Sequence, residues 1–280
     1  MKLFRGALPS HDVVVARVVA SQVIASGAAV GGAAAAGVAA GGGAAQALEM
    51  ALAQAMMRRV SRGDAGETLR VYQPSGAAVA FGRRDVRLRG FDAAVAAVRR
   101  AGFEPCVRAP GGRAVAYTSQ ALVVDHVSPD PEWPSGLEAR FGEFGELWTG
   151  VLSGLGIDSR VGEVPGEYCP GSHSINARGR VKLVGTAQRM VRGAWLFSAV
   201  LVVDGAAELR PVLRDVYGAL ELPFDDGSVG SVSEEVAGVA VSDVEEALLS
   251  AYDSRYGLTP DELSPELVEE ARALLPDHVV

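Results

Sequence analysis

The sequence predicts an α+β protein, a mixed β-sheet flanked by helices. Alternating strand segments fall mostly in hairpin-spaced groups, and amphipathic helical segments separate those groups. Glycine and proline punctuate the boundaries, which sets the segment ends.

Taken in order, Lys2 to Arg5 reads as a first edge strand, followed by an alanine- and glycine-dominated stretch from Ala25 to Ala45. Gln46 to Arg59 places Leu48, Met50, Leu52, Met56 and Met57 in an alanine-rich frame, with Arg58 and Arg59 suited to a helix C-terminus. Thr68 to Tyr72 and Ala77 to Phe81 read as strands around a Pro74-Ser75-Gly76 turn. Asp92 to Ala101 is an amphipathic helix stopped by Gly102. Strands at Pro105 to Ala109, Arg113 to Thr118 and Ala121 to Val127 come next, and Leu137 to Leu155 is a helix closed by Gly156. Two longer strands, Arg180 to Met190 and Ala194 to Val203, meet at Arg192-Gly193. Glu208 to Leu220 is a helix, Phe224 to Ser233 a loop. A capping box at Ser242-Asp243-Val244-Glu245 and the pair Ser264-Pro265 each open a helix of an acidic tail that starts at Val236.

The chain has 280 residues, enough for one catalytic domain with appendages. The expected division is 1–45 (edge strand plus low-complexity insertion), 46–235 (catalytic domain) and 236–280 (helical tail). A formal net charge of −8 argues against nucleic acid or an anionic membrane as the main partner. Arg83, Arg84, Arg87 and Arg89 still form a local basic run, which reads as a solvated face or as a dock for an acidic carrier protein. No charged residue lies between Arg17 and Glu49, but glycine and alanine bury too little apolar surface for a membrane span. The amino end also lacks a clean secretory leader. Two cysteines, Cys106 and Cys169, give no disulfide framework and suit a cytoplasmic protein. Cys106 sits in a strand and reads as structural.

Cys169 is different, because Pro170 and Gly171 make a turn that keeps the thiol near a surface. Lys182 follows thirteen residues later on a strand. A thiolate is the attacking form of cysteine, and a nearby ammonium both lowers a thiol pKa and can hold an oxyanion. The pair therefore suggests acyl transfer; the plain alternative is a buried cysteine and a solvated lysine. His173, four residues past the thiol, is a candidate base in a polar loop. Gly111 and Gly112 form a turn that lets a ligand approach backbone N–H groups. No metal-ligand spacing is expected.

Four ordered blocks carry a resemblance. Leu69-Arg70-Val71-Tyr72 with Ala80-Phe81-Gly82-Arg83, then Arg108 to Val115, then Cys169-Pro170-Gly171, then Lys182-Leu183-Val184-Gly185 with Gln188-Arg189, resemble the lipoate/octanoate protein ligase and transferase family over roughly residues 46 to 235. The resemblance implies the biotin/lipoate-protein-ligase catalytic-domain fold. It implies that Arg108, Gly111, Gly112, Arg113, Ala114, Val115, Gly185 and Gln188 bind substrate, and that Lys182 holds the acyl carbonyl. It is most like the cysteine-dependent octanoyltransferase branch, in which Cys169 would carry the acyl group to a lipoyl-domain lysine. Implied partners are lipoyl-domain proteins (glycine cleavage H protein, 2-oxoacid dehydrogenase E2), with acyl carrier protein as a further donor. That branch needs no cofactor. The alternative is an ATP- and Mg-dependent lipoate–protein ligase working through lipoyl-adenylate, against which Arg113 stands where many members carry a third glycine. A non-catalytic binder of lipoyl domains is the third reading. Burying an eight-carbon chain at about 0.8 kcal/mol per methylene yields about 5 kcal/mol, enough for capture in a tunnel. One methylene discriminates by only about 1–3 kcal/mol, so octanoate and lipoate stay open at this point.

Overall fold

The computed structural model describes residues 13–17, 44–132 and 136–280. The strand expected at Lys2 to Arg5 and most of the alanine/glycine stretch lie outside them. In chain order the strands are β1 (Val13–Arg17), β2 (Thr68–Tyr72), β3 (Ala78–Phe81), β4 (Glu104–Val107), β5 (Val115–Tyr117), β6 (Ala121–Asp130), β7 (Ser159–Val161), β8 (Ile175–Ala177), β9 (Val181–Val191), β10 (Gly193–Val202) and β11 (Leu258–Asp261). The helices are α1 (Ala45–Arg62), α2 (Phe91–Arg100), α3 (Leu137–Gly154), α4 (Ala206–Ala219), α5 (Val232–Glu235), α6 (Val241–Tyr256) and α7 (Pro265–Leu274).

The α+β class holds, but the strands form two sheets. Eight run in the order β11-β1-β2-β6-β10-β9-β8-β7, and three in the order β4-β3-β5. Both are mixed: β1 is parallel to β2 and β11, and β3 is parallel to β4 but antiparallel to β5. Strands that are neighbours in sequence are therefore not always partners. The Pro74-Ser75-Gly76 turn does not close a hairpin; it passes the chain from the large sheet to the small one. Likewise β4 and β5 flank β3 instead of pairing with each other.

Period-two alternation in the large sheet sorts its two faces. Leu69 and Val71, Leu122 and Val124, and Phe197, Ala199 and Leu201 face one way, onto Phe144, Trp148 and Val151 of α3 and Val244, Leu248 and Tyr252 of α6. The opposite face meets α1, where Ala53, Met56, Met57 and Val60 pack on Val127, Ala194 and Leu196. The small sheet packs with α2 and α4 in a third cluster. Helix α1 thus lies along the seam between the sheets. Its first free amides are capped from a distance, since Glu104 at the start of β4 accepts from the N–H groups of Gln46 and Ala47 at 3.0–3.2 Å.

The tail joins the body of the fold: α6 belongs to the main core, α7 packs on α1 through Ala271 and Leu274, and β11 extends the large sheet. Helix α6 begins two residues earlier than its capping pattern suggests, with Ala240 in place of Ser242 at the N-cap and Asp243 accepting from the N–H of Ala240 at 2.8 Å. Ser264 caps α7 as expected.

Candidate active site

A cavity opens where the two sheets and α1 converge, enclosing about 680 Å³ of empty space with its mouth included. Its walls come from Met50 and Ala53 of α1, Ala80, Val115 and Ala116 of the small sheet, and Val123, Gly185 and Val200 of the large one. They are mostly apolar, with Asp125 and Ser198 as a polar patch. Asp125 accepts from Ser198 Oγ at 2.6 Å and lies 3.5 Å from the Arg70 guanidinium, which in turn pairs with Glu49 of α1. Burial pushes the Asp125 carboxyl up, although Arg70 and Ser198 oppose the shift.

The mouth is held by Cys169, Arg108, Ala109, Pro110 and Thr186. Cys169 and Thr186 also border a second, wider groove lined by Gly111, Gly112, Phe141, His173 and Gln188. The thiol therefore stands at the junction of a greasy chamber and an open groove.

Its backbone is unusual there, with φ of 44° in the left-handed region, a position that costs a non-glycine residue about 1–3 kcal/mol. Buried Tyr217 of α4 secures it: the hydroxyl accepts from the Cys169 N–H and donates to the Ala114 carbonyl at 2.9 Å. The sulfur receives the Arg113 N–H at 3.2 Å and Arg108 Nη2 at 3.3 Å. Burial pushes the thiol up, but Arg108, Lys182 and the Arg113 N–H outweigh it and leave the thiol below its ordinary value. Nucleophilic thiols have this setting. Cys106 has the opposite one: it is wholly buried in β4 and pushed up to about 12.

Gly112 has φ of +103°, and a Cβ there would sit 2.5 Å from Arg108 Nη2 and 2.6 Å from the sulfur. Only glycine lets the strand-linking turn come this close. The Arg113 side chain turns away and pairs with buried Asp85 at 3.1 Å, while Asp85 also accepts from the Gly82 N–H. Val115 lines the cavity, and Ala114 contributes its carbonyl to Tyr217.

Lys182 meets Cys169 from behind the loop. Its ammonium donates to the carbonyls of Cys169 at 2.9 Å and Tyr168 at 3.0 Å, and to Glu167 Oε1 at 2.9 Å. Glu167 gathers the rest of the loop, accepting from Ser174 Oγ and from the N–H groups of Val164 and Gly171. The register shift between β8 and β9 lies beside Lys182, and Gly185 three residues on faces the same way, so that its ideal Cβ would lie 3.5 Å from Lys182 Cε. His173 does not join the thiol. It stacks on Phe141 at 4.2 Å and pairs with Glu138 at 3.2 Å, so its hydrogen bonds leave the sulfur alone. Gln188 accepts from Arg140 and donates to the Leu137 carbonyl, which fixes the start of α3 at the groove edge.

The two sheets and α1 thus bring an apolar chamber, an open groove and a thiol held below its ordinary value together at one place. The chain belongs to the lipoyl protein ligase A/B catalytic domain family, which matches residues 46–253. Among its relatives, an octanoyl-[GcvH]:protein N-octanoyltransferase of Geobacillus kaustophilus is 29% identical over 163 residues, 58% of this chain and 57% of the relative. One of the same name from Exiguobacterium sibiricum is 32% identical, over 50% of this chain and 51% of the relative. A lipoyl-[GcvH]:protein N-lipoyltransferase of Listeria monocytogenes is 28% identical over 50% of each chain. The chain spans about half the length of the curated relatives it matches. Among solved structures, a lipoate-protein ligase A bound with ATP superposes with a TM-score of 0.70 at 19% identity, covering 95% of this chain and 94% of the other. A bipartite lipoate protein ligase from Thermoplasma acidophilum, described with its E2 lipoyl domain, gives 0.64 at 17% identity over 95% and 92%. Those likenesses establish the fold. Among the described residues, no helix is long and apolar enough to cross a membrane.

Proposed function

We propose that the protein transfers an octanoyl or lipoyl group to the lysine of a lipoyl domain, through an acyl-enzyme on Cys169. The observation that carries this reading is the placement of a thiol held below its ordinary value between an apolar-lined chamber and an open groove. The chamber takes the acyl chain, and the groove receives the donor and then the acceptor arm. The names of the relatives support acylated GcvH as donor and a protein as acceptor; the acceptor in this reading is the lipoyl domain of a 2-oxoacid dehydrogenase E2. Acyl carrier protein has no such support.

In the first half-reaction the Cys169 thiolate attacks the acyl carbonyl and expels the donor. In the second, the acceptor amine attacks the thioester and regenerates the thiol. Lys182 and Glu167 keep the loop in the shape that presents the sulfur, and Tyr217 pins its N–H. This route uses no ATP or metal. In the ligase alternative, ATP and Mg would activate a free acid, and the pairing of Arg113 with Asp85 leaves that side chain turned from the groove.

Intact mass after incubation with octanoylated H protein tests the reading. An octanoyl adduct on wild type, lost in Cys169→Ser, is expected, with onward transfer to an apo lipoyl domain in the absence of ATP. An adduct that survives the substitution, or pyrophosphate release from ATP with free lipoate and no adduct, would overturn it.

A further inference from the structure

The family resemblance implies that Lys182 holds the acyl carbonyl, yet each of its three protons already has an acceptor: Glu167, Tyr168 O and Cys169 O. An ammonium has three donors and no more. The side chain is 1% exposed, so a substrate oxygen could be served only by breaking the contacts that shape the nucleophile's loop. Tyr217 removes another candidate, because it already takes the Cys169 N–H.

The donors that do face the sulfur come from the turn after β4. Arg108 Nη2 lies 3.3 Å from it and the Arg113 N–H 3.2 Å. Arg108 is nine-tenths buried, and Nη2 also donates to the Arg113 carbonyl at 2.7 Å, which fixes the guanidinium plane. Its Nε is buried with no partner, and the residue lines the chamber mouth. An orphaned donor on a buried cation is costly unless some acceptor visits it. A carbonyl oxygen entering with the acyl chain has the required chemistry.

We infer that the oxyanion of acyl transfer is held by the Arg108 guanidinium and the Arg113 backbone N–H, with Lys182 as a positioning residue beneath the loop. The inference rests on the acyl-enzyme reading above. In the step itself, a sulfur lone pair forms the S–C bond and the carbonyl π pair moves onto oxygen. Donors that had been held by the thiolate are thereby released next to the new negative charge. When that pair returns, the bond from carbon to the leaving group breaks. The departing thiol or amine takes a proton from solvent and the acyl-enzyme remains. Gly112 serves the same arrangement, since any side chain there would come between the guanidinium and the sulfur.

Two reactions of one sulfur separate the roles. Alkylation by iodoacetamide reads the thiolate and develops no oxyanion, whereas single-turnover acylation by an octanoyl thioester develops one; both are followed across pH by intact mass. Arg108→Gln is expected to acylate roughly 10²–10³-fold more slowly than wild type after correction for the thiolate fraction. Its alkylation at full ionisation should match wild type, which also reports that the site is folded. Arg108→Lys keeps the charge but lacks the guanidinium fork, so it should show the same slow acylation with a smaller change in the alkylation midpoint. Either variant acylating at the wild-type rate once its thiol is ionised would overturn the assignment and return the oxygen to Lys182. A wild type that alkylates normally but never acylates would instead sink the acyl-enzyme reading, and this one with it.

Discussion

Cys169 combines a left-handed backbone with a thiol held below its ordinary value, and each property has a separate cause. The charge state comes from Arg108, Lys182 and the Arg113 N–H. The backbone shape comes from Tyr217, a residue 48 positions away on α4 whose hydroxyl bridges the Cys169 N–H and the Ala114 carbonyl. Tyr217→Phe keeps the ring and its packing on Phe224, 5.2 Å between centroids, and deletes only that bridge. It leaves a buried N–H unpaired, which costs about 1–3 kcal/mol. We expect a lower melting temperature and slower acylation. The alkylation midpoint of Cys169 should barely move, because the groups that set the thiol's charge are untouched. A midpoint shift as large as that of Arg108→Gln would mean that Tyr217 also acts on the sulfur.

At the scale of elements, the loop from Gly162 to Ser174 has little regular structure and is organised instead around one buried ion pair. Glu167 and Lys182 are both essentially inaccessible and share a hydrogen bond of 2.9 Å. Breaking a buried pair by removing one member costs about 3–5 kcal/mol, since the other charge stays behind. Lys182→Met should therefore lose roughly that much in urea unfolding, a defect visible with no substrate present. Unchanged stability with lost acylation would mark Lys182 as acting on substrate. The same loop shows what the sequence could and could not disclose. Cys169-Pro170-Gly171 and the lysine were legible because a turn and a strand have local signatures. Glu167 was not, because nothing local distinguishes an acid that caps a loop from one that faces water. Strands β7 and β8, of three residues each, are too short to show alternation, and β11 contains Pro260, which reads as a break. The longer elements with several turns of period, such as α1, α3, β9 and β10, were placed to within a few residues.

For the molecule as a whole, function lies at a seam that no single element owns. The chamber exists because α1 bridges two sheets, and its walls come from residues as far apart in sequence as Met50 and Val200. Such a space cannot be read from any one segment: the resemblance marks Gly185 as a substrate-binding position, but not the opposite walls that complete the space. In the fold, Gly185 lies on the chamber wall, level with Val200 of β10, and a Cβ there would meet nothing closer than Lys182 Cε at 3.5 Å. Gly185→Val is thus compatible with the strand, where a β-branched residue is favoured, but its two methyl groups project into the space meant for the alkyl chain. Each methylene denied burial forfeits about 0.8 kcal/mol. Displacing several of them should weaken capture of octanoyl donors by two or more orders of magnitude. Iodoacetamide, which needs no chamber, should still alkylate Cys169 at the wild-type rate, and the melting temperature should hold or rise. If octanoyl and acetyl thioesters lose rate equally in this variant, the chamber is not where the chain binds; selective loss of the octanoyl reaction places it there.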